Sequence, residues 1–261
     1  MHGKIARLRW ILGMACAGLA WCALASAENA DGRDPWQVTV GAGAGLRPKF
    51  PGSDSTEVRP IPAFEIVYAD RWFASRDGLG GYVNLGDRWQ LSASVAPEMT
   101  HRDESDSPHL RGLGDVDRTA IALVRASYRM GFVTATAAVS SDIADKGHGT
   151  VLDLVLQADK ALTPRWSFNY GVGARWVNDE YMTTFFGIDA QQSERSGLAQ
   201  YQAGAGVSEV RAFGAVNYLL GPNWILSCGA AINRLQGDAS DSPIVQDDTY
   251  ATVDAVAMYR F

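Results

Sequence analysis

Residues 250–261 alternate apolar and polar side chains and stop on an aromatic. Ala251, Val253, Ala255, Ala257, Tyr259 and Phe261 share one face of an extended strand; Thr252, Asp254 and Arg260 share the other with Val256 and Met258. A period of two excludes a helix, whose same-face residues recur at three and four. The pattern returns without a fault over 36–46 and over 166–176, where Ser167, Asn169, Gly171, Gly173 and Arg175 oppose Trp166, Phe168, Tyr170, Val172, Ala174 and Trp176. A wall with lipid outside and a lumen inside predicts such strands, with aromatics at both ends of the apolar face as two interface girdles. A soluble β-sandwich is the other architecture the alternation allows.

The N-terminal end points to export. Lys4, Arg7 and Arg9 precede an uncharged stretch over 10–24, and Ala25-Ser26-Ala27 offers a small-residue cleavage site, the layout of a signal peptide over 1–27. That uncharged stretch is about 15 residues, short of the ~20 a spanning helix needs. Loss of the leader removes three positive charges and takes the net charge from −6 to −9, which argues against a nucleic-acid partner. It also removes Cys16 and Cys22, leaving Cys228 alone in an apolar strand, suited to a wall or core. A last strand ending in a terminal Phe resembles the signal by which outer-membrane barrels are recognised by the barrel-assembly machinery, and Tyr259 and Phe261 would carry it. The expected location is the outer membrane of a Gram-negative bacterium.

Turn residues count the strands. Short connections fall near Asp70, at Gly86-Asp87, at Arg129-Met130-Gly131, at Thr163-Pro164 and at Gly221-Pro222-Asn223; longer polar ones occupy 48–57, 97–115, 141–149, 178–200 and 236–248, with a tight extra turn at Arg76-Asp77-Gly78. Long and short alternate, which predicts an all-β fold: a transmembrane antiparallel up-and-down β-barrel over 28–261. Its twelve strands are expected at 36–47, 58–69, 71–76, 78–85, 88–97, 116–128, 131–140, 150–160, 165–177, 203–219, 224–235 and 249–261. Pro60 and Pro62 demote the second strand toward an irregular rim. The sixth has two registers, because Arg118 and Arg125 fall on opposite faces.

Side chains with chemistry divide between loops and lumen. Ser-Asp-Ser-Pro occurs twice, at 105–108 and 240–243, and its residues favour rigid solvated turns. The acidic residues Asp103, Glu104, Asp106, Asp238 and Asp241 are the weak candidates for a hard divalent cation, with Asp115 beside them. His101 and His109 lie near Ser105 and Ser107, but no nucleophile elbow supports a hydrolase. The inward face of the strands carries Arg59, Glu65, Asp153, Arg175, Glu209 and Arg211, together with Gln157, Asp254 and Arg260. Mutual pairing of these charges would close a narrow barrel, whereas space left by Gly41, Gly43, Gly45, Gly171 and Gly173 would suit a small hydrophilic pore.

Several stretches resemble one family. His101-Arg102-Asp103-Glu104-Ser105-Asp106-Ser107-Pro108 followed by Leu110-Arg111-Gly112-Leu113-Gly114-Asp115-Val116-Asp117 is similar to the long-loop signature of the MipA/OmpV family, the MltA-interacting proteins. Phe50-Pro51-Gly52-Ser53-Asp54, Phe185-Phe186-Gly187-Ile188, residues 235–245 and the ending Tyr259-Arg260-Phe261 resemble it as well. The resemblance implies a barrel embedded in outer-membrane lipid, with no catalytic residues and no cofactor. In one branch it implies a scaffold joining a lytic transglycosylase to a penicillin-binding protein, in others a surface or adhesive protein. A narrow porin for small solutes is the alternative.

Overall fold

In the computed structural model residues 9–14, 20–25 and 35–261 are described. The leader expected over 1–27 lies largely outside them: only two short strands, Arg9–Met14 and Ala20–Ala25, are described there, paired with each other. The cleavage position after Ala27 is not among the described residues.

From Trp36 onward twelve antiparallel strands close into a barrel. They are β1 (Trp36–Pro48), β2 (Thr56–Tyr68), β3 (Trp72–Ser75), β4 (Gly78–Leu85), β5 (Trp89–Glu98), β6 (Thr119–Met130), β7 (Val133–Asp142), β8 (Thr150–Ala161), β9 (Trp166–Val177), β10 (Gly206–Leu220), β11 (Trp224–Leu235) and β12 (Thr249–Arg260). Each pairs with its sequence neighbours, and β12 returns to β1 in the register Ala255 to Ala44, so the last strand does close the wall. An even strand number puts both ends of the barrel sequence at one rim together with the turns at 69–71, 86–88, 131–132, 162–165 and 221–223, the periplasmic rim by the general rule for such barrels, while the tight turn at Arg76-Asp77 points the other way. The long loops stand at the other.

Outward positions are apolar and exposed, as at Val172, Leu154, Leu156 and Ile232. Cys228 is on this outward face of β11. Aromatic residues concentrate at the short-turn rim, not at both ends as the alternation of β9 suggests. Trp36 meets Tyr68, Trp89 meets Tyr128, Trp166 meets Tyr218 and Trp224 meets Tyr259 as cross-strand pairs with ring centroids 4.6–5.2 Å apart. At the loop rim Trp176 of β9 is the aromatic of this kind. Tryptophan at the first residue of an ascending strand places its ring where hydrocarbon gives way to head groups.

Two expectations about strands change. Arg118 precedes β6, so Arg125 alone sets that strand's register and points inward, 8% exposed. β2 is no irregular rim: it runs unbroken for 13 residues, with Pro60 opposite Ala44 and Pro62 opposite Ala42. The prolines fit because β3 is only four residues long and pairs with Glu65 to Tyr68, leaving the upper part of β2 without a neighbour on that side. Ala69 donates its N–H to Pro35, which turns odd-numbered β2 amides toward β1 and even-numbered ones toward β3. The N–H groups that Pro60 and Pro62 lack would have had no partner.

Candidate functional site

The loops fold inward as a lid on the barrel mouth. The connection after β9, expected as polar coil, holds two helices, α1 (Asp179–Phe186) and α2 (Ala190–Ser196). Asn178 caps the first by accepting from the Tyr181 N–H, and Asp189 caps the second in a reciprocal box with Gln192. α1 buries Tyr181, Met182, Phe185 and Phe186 against Val116, Val177, Leu235 and Ala239. A second cluster joins one residue or more from each of four connections: Phe50, Leu110 and Leu113, Ile188, and Ile244.

The twin Ser-Asp-Ser-Pro stretches build this lid. In each the second serine accepts from the amide two residues on, Ser107 from His109 and Ser242 from Ile244, so the proline exits at a fixed angle and the next apolar side chain enters the core. The loops are tied across the mouth: a His109 ring nitrogen lies 3.0 Å from the Pro243 carbonyl, and Ser242 donates its hydroxyl to Phe186 at 2.6 Å. Arg102, 2% exposed, donates to the Phe185 carbonyl at 2.8 Å and locks α1 to the loop between β5 and β6. Burial lowers its guanidinium to about 10, which leaves it charged at neutral pH.

Under the lid stands the luminal charge cluster. Asp153 of β8 faces Arg175 of β9 in register and receives two hydrogen bonds from it, both 3.2 Å. Arg211 of β10 reaches the same carboxylate at 3.5 Å and Glu209 at 3.8 Å, and Tyr250 of β12 donates to Glu209. Four of the six luminal candidates therefore form one mutually satisfied network, and α1 brings Tyr181 down among them. Arg59 and Glu65 do not join it. Arg59 pairs with Glu57 two residues away and donates to the Lys49 carbonyl at 3.0 Å, while Glu65 lies lower on β2. Sequence reasoning missed Arg102, Tyr250 and the ion pair between Arg125 and Asp77 at 2.8 Å, which joins residues 48 positions apart.

The luminal glycines do not leave the expected empty space. A β-carbon on Gly41 would fall 2.2 Å from the Ala257 carbonyl oxygen and 2.8 Å from Met258 Cγ, and one on Gly43 would meet Val256. The room they make is filled by Ile61, Val256 and Met258 packed together, as Phe213 and Arg211 fill that of Gly171 and Gly173. Ala215, Ala231 and Ser227, small and inward-facing, are only 3–4% exposed. In a wide channel they would be wet.

The acidic loop residues bind backbone instead of one another's ligand. Asp106 accepts from the Asp103 N–H, Glu104 from Gly114, Asp115 from Glu104 and Asp238 from Gly204, while Asp241 faces the Ser240 hydroxyl. Among the described residues no three His, Cys, Asp or Glu side chains gather as a metal site. Ring nitrogens of His101, His109 and His148 lie against the carbonyls of Met99, Pro243 and Asp117, and the Ser107 hydroxyl engages the backbone of His109, not its ring.

At the opposite rim the surface is open. Arg71, Arg88 and Arg165 each directly precede a girdle tryptophan and are exposed, and Phe132 projects from its turn at 68% exposure. The chain end is fastened here: Phe261 donates its N–H to the Val38 carbonyl at 3.0 Å, and its ring meets Tyr259 edge-on at 4.9 Å.

Comparison with known proteins places these features. The family model described as MltA-interacting protein MipA matches residues 40–261. The MltA-interacting protein of Escherichia coli K12 is 24% identical over 266 residues, covering 96% of this chain and 99% of that protein. YiaT of the same organism is 25% identical over 230 residues, covering 86% and 91%. Among solved structures the outer membrane channel DcaP of Acinetobacter baumannii aligns with 87% of this chain and 96% of its own, with a TM-score of 0.41 and 8% identity.

Proposed function

The chain belongs to the family of MltA-interacting proteins and spans the outer membrane as a twelve-stranded barrel, and on that premise we propose that it is a non-catalytic scaffold that docks a lytic transglycosylase on its short-turn, periplasmic face. The observation that carries this reading is the distribution of finished and unfinished surface. The loop end is covered by its own apolar core and tied by hydrogen bonds between loops, and the lumen below carries the paired charges of Asp153, Arg175 and Arg211. The short-turn rim keeps exposed Arg71, Arg88, Arg165 and Phe132. Basic and aromatic residues on rigid turns suit a polar interface with a soluble enzyme domain working on the murein side. A penicillin-binding protein reached through that enzyme would complete the scaffold.

Affinity capture from detergent-solubilised envelopes tests it. The full-length barrel should retain a lytic transglycosylase, and a variant carrying Arg88→Glu, Arg165→Glu and Phe132→Ala should retain about tenfold less. Equal capture by both would remove the proposed face, and no capture by either would remove the proposed function. A porin makes the opposite electrical prediction: stable conductance in planar bilayers, altered by Arg175 or Arg211 substitution, would replace the scaffold reading.

A further inference from the structure

The wall has a notch. β2 pairs with β1 along its whole length but with β3 only from Glu65 to Tyr68, and β5 pairs with β4 only as far as Val95. The hairpin of β3 and β4 thus ends at Arg76-Asp77 while β2 continues through 56–64 with no strand paired on that side among the described residues, and only 96–98 of β5 extend beyond its last pair with β4. Lipid at this depth offers no hydrogen bonds, so an open sheet edge and a charged turn there need a polar occupant. Pro60 and Pro62 delete two of the donors on that edge, but the carbonyls remain.

Charges gather at the notch, with Arg47 at the loop end of β1. Asp77 turns inward to Arg125, and Ser94 donates to the Asp77 carbonyl at 2.6 Å, which anchors the hairpin tip. Its neighbour Arg76 is left exposed. Arg47 of β1 lies diagonal to Arg59 across the strand pair, with its Nη2 over Gly45 beside Asp254. Arg76, Arg59, Glu57 and Asp254 are all electrostatic neighbours of Arg47. Yet among the described residues Arg47 Nε and Asp254 Oδ2 are buried without a hydrogen-bond partner, and neither Arg47 nor Arg76 has an ion pair within 4 Å. Outside, the same edge presents Val58, Pro60, Pro62 and Phe64, all exposed and apolar or nearly so. Cationic side chains inside a gap and an apolar strip outside it match an anionic amphiphile.

We propose that the notch is a binding site for a phosphorylated lipid of the outer leaflet, its head group held by Arg76 and Arg47 and its acyl chains lying along Val58, Pro60, Pro62 and Phe64. Guanidinium groups form paired hydrogen bonds to phosphate, and a head group seated there would also supply polar contact to the free edge of β2. The site is separate from the docking face at the other rim.

Native mass spectrometry of the full-length barrel from neutral detergent, titrated with lipid A, tests this. Wild type should hold one lipid A through delipidation, Arg76→Ala should bind about tenfold more weakly, Arg47→Ala/Arg76→Ala should bind none, and Arg88→Ala at the far rim should match wild type. Folding is checked by heat-modifiable mobility. If the double variant does not fold, Arg76→Ala, at an exposed turn, carries the test. Undiminished binding in the Arg76 variant, or equal binding of dephosphorylated lipid A, would overturn the proposal. So would inorganic phosphate that binds as tightly and competes, since the site would then take a free anion and not a lipid.

Discussion

Single residues decide how closely the wall and lid pack. Gly43 sits where a β-carbon would lie 2.2 Å from the Ala255 carbonyl oxygen and 2.7 Å from Val256 Cγ2. Gly43→Ala should therefore force β1 and β12 apart at the seam and cost about 1–3 kcal/mol, read as a lower urea midpoint in vesicle refolding. Arg102 acts on the lid alone. Replacing it with Ala leaves the Phe185 carbonyl without its donor, at a cost of about 1–3 kcal/mol. Hydrogen exchange should quicken in α1 and the 99–118 loop, with the strands unchanged. Strand amides that exchange faster as well would show that lid and barrel unfold together.

At the level of elements, deleting Phe261 should impair assembly far more than it alters the lid. It removes the N–H that bonds Val38 and the ring against Tyr259 at the closing seam. Heat-modifiable barrel in envelopes should fall several-fold; normal assembly would refute a role for the terminal aromatic. These strands were readable in the sequence because their causes are local. Alternation in β1, β9 and β12 and turns such as Gly221-Pro222-Asn223 need no distant partner to be recognised. α1 and α2 were not readable, since eight and seven residues are too short for helical periodicity, although Asn178, Asp189 and Gln192 stand in sequence as caps. Pro60 and Pro62 misled for a related reason. A proline is incompatible with a central strand only if its neighbour is present, and the shortness of β3 decides that.

Over the whole molecule the two ends differ in structure, and the proposed docking rests on that difference. Luminal charges were visible by parity alone, and four of the six formed one network because their strands are adjacent in the barrel, β8, β9 and β10. What parity could not convey is that α1 covers them, or that Ile61 and Met258 fill the glycine-lined side, since both depend on contacts between segments far apart in sequence. The result is a barrel with a closed mouth and an exposed basic and aromatic rim at its short turns. Site-specific photo-crosslinking in intact cells tests that division most directly. A crosslinker at Phe132 or at Leu162 should capture a lytic transglycosylase, and one at Asp54 or Ser196 in the lid should not. Crosslinking from the lid positions with none from the turns would contradict the account.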